Sequence, residues 1–237
     1  MQGSLYIVAT PIGNLKDLTI RAKETFEAVD VIVCEDTRVT SKLLASINVK
    51  KTLLAINQHA NDGRLSSVVS RLLKGENIAY VSDAGTPGVN DPGGKLVEQA
   101  LKEGIAVIPI PGASALTAAI SVCGFPMEHF VYLGFAPNKK GRQTFFKEVA
   151  ERDEATIFFE STHRLIKALE SLVMTSEDAS GRSKDVRGRL IFVGRELTKL
   201  YETLYRGTAA EVLEAIKTTS DKGEAVIIVA PKKYNIN

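Results

Sequence analysis

Four consecutive residues, Glu35-Asp36-Thr37-Arg38, set two carboxylates and a guanidinium directly after the apolar run Val31-Ile32-Val33-Cys34. Two neighbouring carboxylates raise one another's pKa, which leaves one of them suited to act as a general base. Successive residues of a strand point to opposite faces, so one of the pair is expected to face a ligand. A solvated or ion-paired Asp-Arg turn is the alternative reading. A second candidate is the stretch Ser82 to Gly94, which holds four glycines, two prolines and two aspartates. Its glycines permit close backbone approach and positive φ, and its prolines limit the shapes it can take. Asp83 can accept hydrogen bonds from an amine or a ribose. The stretch matches neither the dinucleotide nor the NTP fingerprint, and an ordinary Gly-Pro connection is its alternative.

Further candidates lie where other apolar runs end. Thr10-Pro11-Ile12-Gly13-Asn14 is another glycine and proline turn. Pro111-Gly112-Ala113-Ser114-Ala115 reads as the entry to a helix, where orphan N–H groups suit an anionic tail such as a carboxylate; Ser114 also fits a plain cap. Small-residue loops of this kind suit a flat adenosine-like ligand read by backbone groups. Glu160-Ser161-Thr162-His163-Arg164 offers His163 as a base or as a surface group at a helix start. His59 and His129 have no partner pattern. Lys139, Lys140 and Arg142, with Arg152 further on, can contact phosphate, and Phe135 and Phe145 flank them as a stacking face; a solvated loop is the alternative. No His/Cys cluster has metal-ligand spacing, and no nucleophile elbow surrounds Ser114.

These turns need strands and helices to position them. Leu5 to Ala9, Val31 to Cys34, Leu53 to Ile56, Asn77 to Val81 and Ala106 to Ile110 read as strands. Leu15 to Ala28, Thr40 to Ile47, Gly63 to Leu73 and Lys95 to Glu103 have helical spacing between them. This alternation predicts a parallel sheet with helices on both faces. The second half predicts helices over Ser114 to Val122, Phe145 to Ala150, Leu165 to Val173 and Ala209 to Lys217. Its strands are Phe130 to Phe135, Ala155 to Phe159, Leu190 to Val193, Tyr201 to Arg206 and Ala225 to Ala230. Several of these lack a crossover helix, so a mixed sheet is expected. Ser176 to Gly188 is polar and unpatterned and reads as a mobile loop. The domains are 1–115 and 116–237, with the boundary near Gly112 to Gly124. Six strand ends with small or charged residues suggest a ligand cleft shared by the two halves.

Composition sets the outer bounds. The chain has 237 residues, 44% hydrophobic and 24% charged, which is ordinary for a globular protein able to bury a sizeable core. A net charge of +2 means that any basic surface is local. Cys34 and Cys123 read as reduced core residues. No run is long enough for a transmembrane helix, and Met1-Gln2-Gly3-Ser4 leads into a strand without a targeting pattern. A cytoplasmic protein is the simplest reading.

Seven motifs in order carry a resemblance over nearly the whole chain. They are Leu5 to Leu15, Cys34 to Arg38, Val81 to Pro87 with Asp91-Pro92-Gly93, Pro111-Gly112, Phe159 to Arg164, Arg195 to Lys199 and Lys222-Gly223-Glu224. Together they resemble the RNA-modifying branch of the tetrapyrrole methylase superfamily. The resemblance implies the two-domain α/β class III methyltransferase fold and a homodimer. It implies an S-adenosylmethionine-dependent enzyme that methylates the ribose 2′-hydroxyl of a cytidine in small-subunit (16S) ribosomal RNA. Donor contacts carried over by motif fall at Thr10, Pro11, Asp83, Ala84, Gly85, Ser114, Ala115, Phe159, Glu160, Glu196, Leu197, Gly223, Glu224 and Ala225. Glu35, Asp36 and Arg38 are then the catalytic candidates, and Lys139, Lys140, Arg142 and Arg164 the RNA contacts. The partner is the small ribosomal subunit or its rRNA, and no metal and no membrane are involved. Rival readings are a same-fold enzyme acting on a small tetrapyrrole and a non-catalytic RNA-binding or ligand-sensing module. A knotted ribose methyltransferase is disfavoured by the strand order.

Overall fold

The computed structural model describes residues 1–56, 62–91, 93–161, 163–175, 189–219 and 222–234. His59, Pro92, Thr162 and the polar stretch 176–188 lie outside the described residues. The chain divides into two compact units, Met1–Ser114 and Ala115–Asn237.

Unit 1 holds strands β1 (Leu5–Val8), β2 (Val31–Cys34), β3 (Thr52–Ala55), β4 (Ile78–Val81) and β5 (Val107–Ile110). They form one sheet in the order β3-β2-β4-β1-β5, and every pairing is parallel. The expected parallel sheet is borne out. Its helices are α1 (Ile20–Ala28), α2 (Thr37–Ser46), α3 (Asp62–Leu73) and α4 (Gly93–Lys102). The central strands β2 and β4 are buried along their whole length, as parallel strands covered on both faces must be. Side-chain alternation splits their residues between two cores. Val8, Ile32, Cys34, Ala79 and Val81 join Ala22 and Phe26 of α1 and Leu43 and Leu44 of α2. Leu5, Val31, Val33, Ile78 and Tyr80 join Leu65 and Leu72 of α3 and Leu96 and Ala100 of α4. Each fully buried valine, leucine, isoleucine or phenylalanine among them contributes roughly 1.5–3 kcal/mol.

This division fixes where a ligand site can form. Strands β1 and β2 lead into helices on one face of the sheet. Strand β4 lies between them and leads into α4 on the opposite face. The loops leaving β4 therefore part from those of both neighbours, and in parallel α/β sheets such a parting at the carboxyl ends is where ligands bind.

Unit 2 holds β6 (Phe130–Phe135), β7 (Ala155–Glu160), β8 (Leu190–Arg195), β9 (Thr203–Thr208) and β10 (Ala225–Val229). The order is β6-β7-β10-β8-β9. Only β6 and β7 pair in parallel, and the other pairings are antiparallel, so the sheet is mixed as expected. Helices α6 (Arg142–Glu151), α7 (Leu165–Thr175) and α8 (Ala209–Lys217) share one core, in which Phe146, Leu169 and Val212 meet Phe158, Val193 and Ile227. Helix α5 (Ala115–Cys123) lies against β10. Thr208 and Glu211 close a capping box at the start of α8, satisfying two N–H groups that have no partner within the helix. No helix among the described residues is long and apolar enough to cross a membrane.

Three expectations need correction. Leu15 to Ala28 is not one helix: a 3₁₀ turn at Leu15–Asp17 ends first, and Thr19 caps α1 by accepting the Ala22 N–H at 3.0 Å. Helix α2 begins at Thr37 rather than Thr40, because Asp36 caps it. The strand expected over Tyr201 to Arg206 runs from Thr203 to Thr208, since residues 196–202 are drawn into a tight turn.

Candidate active site

At the carboxyl edge of unit 1, backbone groups knit the loops after β1, β4 and β5 together. Thr10 N–H donates to Gly85 O at 2.9 Å, and Gly85 N–H returns the bond to Thr10 O at 3.0 Å. The Thr86 hydroxyl reaches Ala113 O at 3.0 Å. Gly85 has φ of +78°, and a Cβ there would stand 3.1 Å from Ile12, so this crossing is reserved for glycine. Thr10, Pro11, Asp83, Ala84, Gly85 and Ser114 thus lie on loops that meet at one edge. Ala115 continues the chain into α5.

The carboxylates gather beside this crossing, where β2 and β4 end. Asp83 N–H donates to Glu35 Oε1 at 3.2 Å, while Asp36 N–H donates to Asp83 Oδ1 at 3.1 Å. The two loops are laced by carboxylates accepting each other's backbone. Asp91 closes the rest of the β4 loop, accepting from Gly88 N–H at 2.5 Å and Gly93 N–H at 2.9 Å. The buried Tyr80 hydroxyl also donates to it, at 3.3 Å.

The electrostatics separate Glu35 from Asp36. Burial pushes the Glu35 carboxyl above its ordinary value; the Asp83 N–H pulls the other way, and the charges of Asp83 and Asp91 push it up again. Burial raises Asp83 as well. Asp36 is the opposite case. Its carboxylate accepts the Arg38 N–H at 2.8 Å as the helix cap and is clamped by the Arg38 guanidinium, with Nη2 at 2.5 Å. The guanidinium's hydrogen bonds hold it down at about 2. The picture of two carboxylates pointing to opposite sides of a strand is therefore corrected: Asp36 has left the strand to cap a helix. Arg38 is itself mostly solvent-exposed.

In unit 2, Phe159-Glu160, Glu196-Leu197 and Gly223-Glu224-Ala225 meet at one end of the adjacent strands β7, β10 and β8, where Ala225 pairs with both Glu160 and Arg195. Glu196 N–H donates to Glu224 O at 2.9 Å, and Glu224 N–H donates to Glu196 Oε1 at 3.0 Å. Lys199 Nζ joins them, 2.8 Å from Glu196 Oε1. Burial opposes the Glu196 charge, but Lys199 and the Glu224 N–H outweigh it and hold its carboxyl below the ordinary value. Gly223 has φ of +104°, and a Cβ would stand 2.3 Å from Glu196 Cγ; no other residue fits. Glu196 and Thr198 both adopt positive φ, a strained state that tends to mark functional loops. The buried Arg195 staples this turn, donating to Lys222 O at 2.5 Å, Tyr201 O at 3.1 Å and Thr203 Oγ1 at 2.9 Å.

Glu160 is held by two arginines. Its side chain is 0% exposed and is held by Arg142 Nη1 at 2.9 Å and Arg164 Nη2 at 2.8 Å, with the Ser161 N–H at 2.8 Å. Only its backbone is available to a donor. Arg142 and Arg164 are in turn committed to Glu160, while Lys139 and Lys140 stay exposed. Sequence reasoning missed Tyr80, and it placed Arg195 in a motif without its role as a staple. It also missed Arg189, which is buried and donates to Ala230 O at 3.0 Å and Arg152 O at 3.0 Å. An arginine abutting an apolar strand was the one available signal.

Comparison with known proteins agrees with this architecture. Residues 4–213 match the Tetrapyrrole (Corrin/Porphyrin) Methylases. The chain is 42% identical, over 98% of its length and 79% of the relative's, to the ribosomal RNA small subunit methyltransferase I of Escherichia coli O157:H7. It is 39% identical to the protein of that name from Thermotoga maritima, over 98% of this chain and 100% of the relative. Among solved structures, a cobalt precorrin-4 methyltransferase superposes with a TM-score of 0.67 at 17% identity, covering 97% of this chain and 95% of the other. A uroporphyrin-III C-methyltransferase from Thermus thermophilus gives 0.64 at 17% identity, covering 98% and 96%. The chain belongs to the tetrapyrrole methylase family and is a methyltransferase.

Proposed function

We propose that the protein transfers a methyl group from S-adenosylmethionine to the ribose 2′-hydroxyl of a cytidine in small-subunit ribosomal RNA. Its relatives at about 40% identity over nearly the whole chain bear the name of a small-subunit rRNA methyltransferase. The geometric observation that carries the reading is Glu35, a partly buried carboxylate of raised pKa, held by the Asp83 N–H where β2 and β4 part. A ribose hydroxyl needs such a base, whereas Asp36, spent on Arg38 and the helix cap, is too weak to serve.

The residues fit the donor. Thr10, Pro11, Ala84 and Gly85 present backbone and small side chains, and Asp83 adds a carboxylate suited to a ligand that is cationic at its sulfonium and amine. With Ser114 and Ala115, and with Phe159, Glu160 through its backbone, Glu196, Leu197, Gly223, Glu224 and Ala225, they are the proposed donor contacts. When bound, the donor supplies an electrophilic methyl group. Glu35 is the group that would take the proton of the 2′-hydroxyl. Asp83 holds Glu35 through its N–H and, by its own charge, keeps the carboxylate basic. Arg38, Lys139 and Lys140 attract phosphate. A homodimer, cytoplasmic and acting on the small subunit or its rRNA, completes the proposal.

The test is transfer of labelled methyl from S-adenosylmethionine to small ribosomal subunits lacking the modification, with naked rRNA in parallel. Label at a single cytidine 2′-oxygen is expected. Label appearing only on a porphyrin precursor, or donor binding without turnover on any RNA, would overturn the reading.

A further inference from the structure

The network around Glu160 has the form of a pin. Arg164 alone spans three groups: Nη2 lies 2.8 Å from Glu160 Oε1, Nε donates to Ser161 Oγ at 2.7 Å, and Nη1 donates to Asn138 Oδ1. Arg142 donates through Nη1 both to Glu160 Oε2 at 2.9 Å and to Pro137 O at 3.0 Å, and its guanidinium lies 5.0 Å over the Phe146 ring. Two of these bonds, Arg142 to Glu160 and Arg164 to Asn138, tie the turn 137–142, which joins β6 to α6, to the carboxyl end of β7, and the others brace each side. The turn's own exposed residues are Asn138, Lys139, Lys140 and Gly141. Among the described residues two guanidiniums meet one carboxylate, so this cluster carries a net positive charge at the turn that bears the two lysines.

We propose that Glu160 is a positioning residue for RNA: its buried carboxylate clamps Arg142 and Arg164, and through Pro137 and Asn138 they hold the Lys139-Lys140 turn in the shape that receives phosphate. This role rests on the RNA reading above and stands beside the proposed backbone contact of Glu160 to the donor. A long, flexible lysine contacts phosphate as a point charge, so its contribution depends on how well the turn beneath it is fixed. The carboxylate also permits two like charges to stand close together, since each arginine is bonded to a different oxygen.

The test compares three variants: Glu160→Gln, Asn138→Ala and the double variant Lys139→Ala/Lys140→Ala. For each, S-adenosylmethionine affinity is measured by calorimetry, and kcat and KM on small ribosomal subunits are measured across a salt series. Asn138 is exposed and uncharged, so its loss leaves the fold in place even where Glu160→Gln fails to fold. Expected for Asn138→Ala is a KM raised about tenfold, the worth of one hydrogen bond to a charged group. Its kcat, donor affinity and salt dependence are unchanged. Glu160→Gln raises KM at least as much, with donor affinity again unchanged, and exposes amides 138–142 to faster hydrogen exchange. The double lysine variant raises KM and also flattens the salt dependence by roughly 0.7–0.9 per charge removed. A Glu160→Gln protein with weakened donor binding and wild-type KM overturns the proposal. So does an Asn138→Ala protein with wild-type KM when the lysine variant is impaired. A wild-type protein that methylates no RNA sinks the underlying reading instead.

Discussion

The turns after β2 and β7 are built from similar residues and behave as opposites. Each strand delivers a glutamate at its end, and an arginine follows within four positions: Glu35 with Arg38, Glu160 with Arg164. At β7 the arginine folds back onto the glutamate, a second arginine joins it, and the carboxylate is sealed from solvent. At β2 an aspartate intervenes and captures the arginine, leaving Glu35 facing Asp83 and Asp91. The difference teaches that a carboxylate's role is set by where the nearest guanidinium goes. Paired on both oxygens, it is structure. Deprived of its cation and partly buried, it has the raised pKa that the proposed base needs.

The comparison can be broken or sharpened in four ways. The largest expected effect is on rate: Glu35→Gln lowers kcat by about 10²–10⁴-fold with donor binding intact, whereas a variant turning over at the wild-type rate would remove Glu35 as the base. The same variant should melt at a higher temperature at neutral pH, because it deletes a charge that burial disfavours. Second, Glu160→Ala should destabilise by about 3–5 kcal/mol, leaving two guanidiniums unpaired; denaturant unfolding would measure it, and a loss no larger than that of Glu35→Ala would erase the contrast.

Third, Asp36→Ser imitates the β7 turn, where serine follows the glutamate. Serine still caps helices, and Arg38 is released toward Glu35. The acid limb of the pH–rate profile should move to lower pH. An unmoved limb would mean that Arg38 does not govern Glu35. Fourth and smallest, Asp83→Asn removes one of the charges that raise Glu35, so the limb again moves down, by less. The stability signs follow from the same groups. Glu35 and Asp83 hold protons more tightly when folded than their ordinary values of 4.5 and 3.8. Their contribution therefore falls as pH rises through the window above those values. Asp36 runs the other way: its contribution is full above 3.8 and is lost as pH falls through about 2.

Much of the fold was legible because it rests on local periodicity. The alternation of buried strands and amphipathic helices gave the parallel sheet, and the strand runs without crossover helices gave the mixed one. Errors fell where a short polar side chain redirects the backbone. Thr19 and Asp36 are helix caps, and Asp36 was read for its charge rather than its place before an apolar run. The site was legible only as a set of motifs. Residues 48 apart in sequence, such as Glu35 and Asp83, carry no local signal of their bond. Nothing in the spacing of Arg142, Glu160 and Arg164 says that two arginines converge on one carboxylate. Arg189 and Arg195 could not be told from surface cations, since their partners are backbone carbonyls from distant loops.

The strand order of unit 1 has a consequence for how the chain is made. β1 leaves the ribosome before the other strands of its sheet, yet its two neighbours are β4, beginning at Ile78, and β5, beginning at Val107. Synthesis of the intervening residues takes on the order of ten seconds at ordinary elongation rates. Throughout that interval Leu5-Tyr6-Ile7-Val8 is an apolar segment with no sheet to join, while β2 and β3 can already pair with each other. The nascent chain therefore spends its early life with its most central N-terminal segment uncovered. That segment gains its first partner when β4 arrives to fill the gap between β2 and β1.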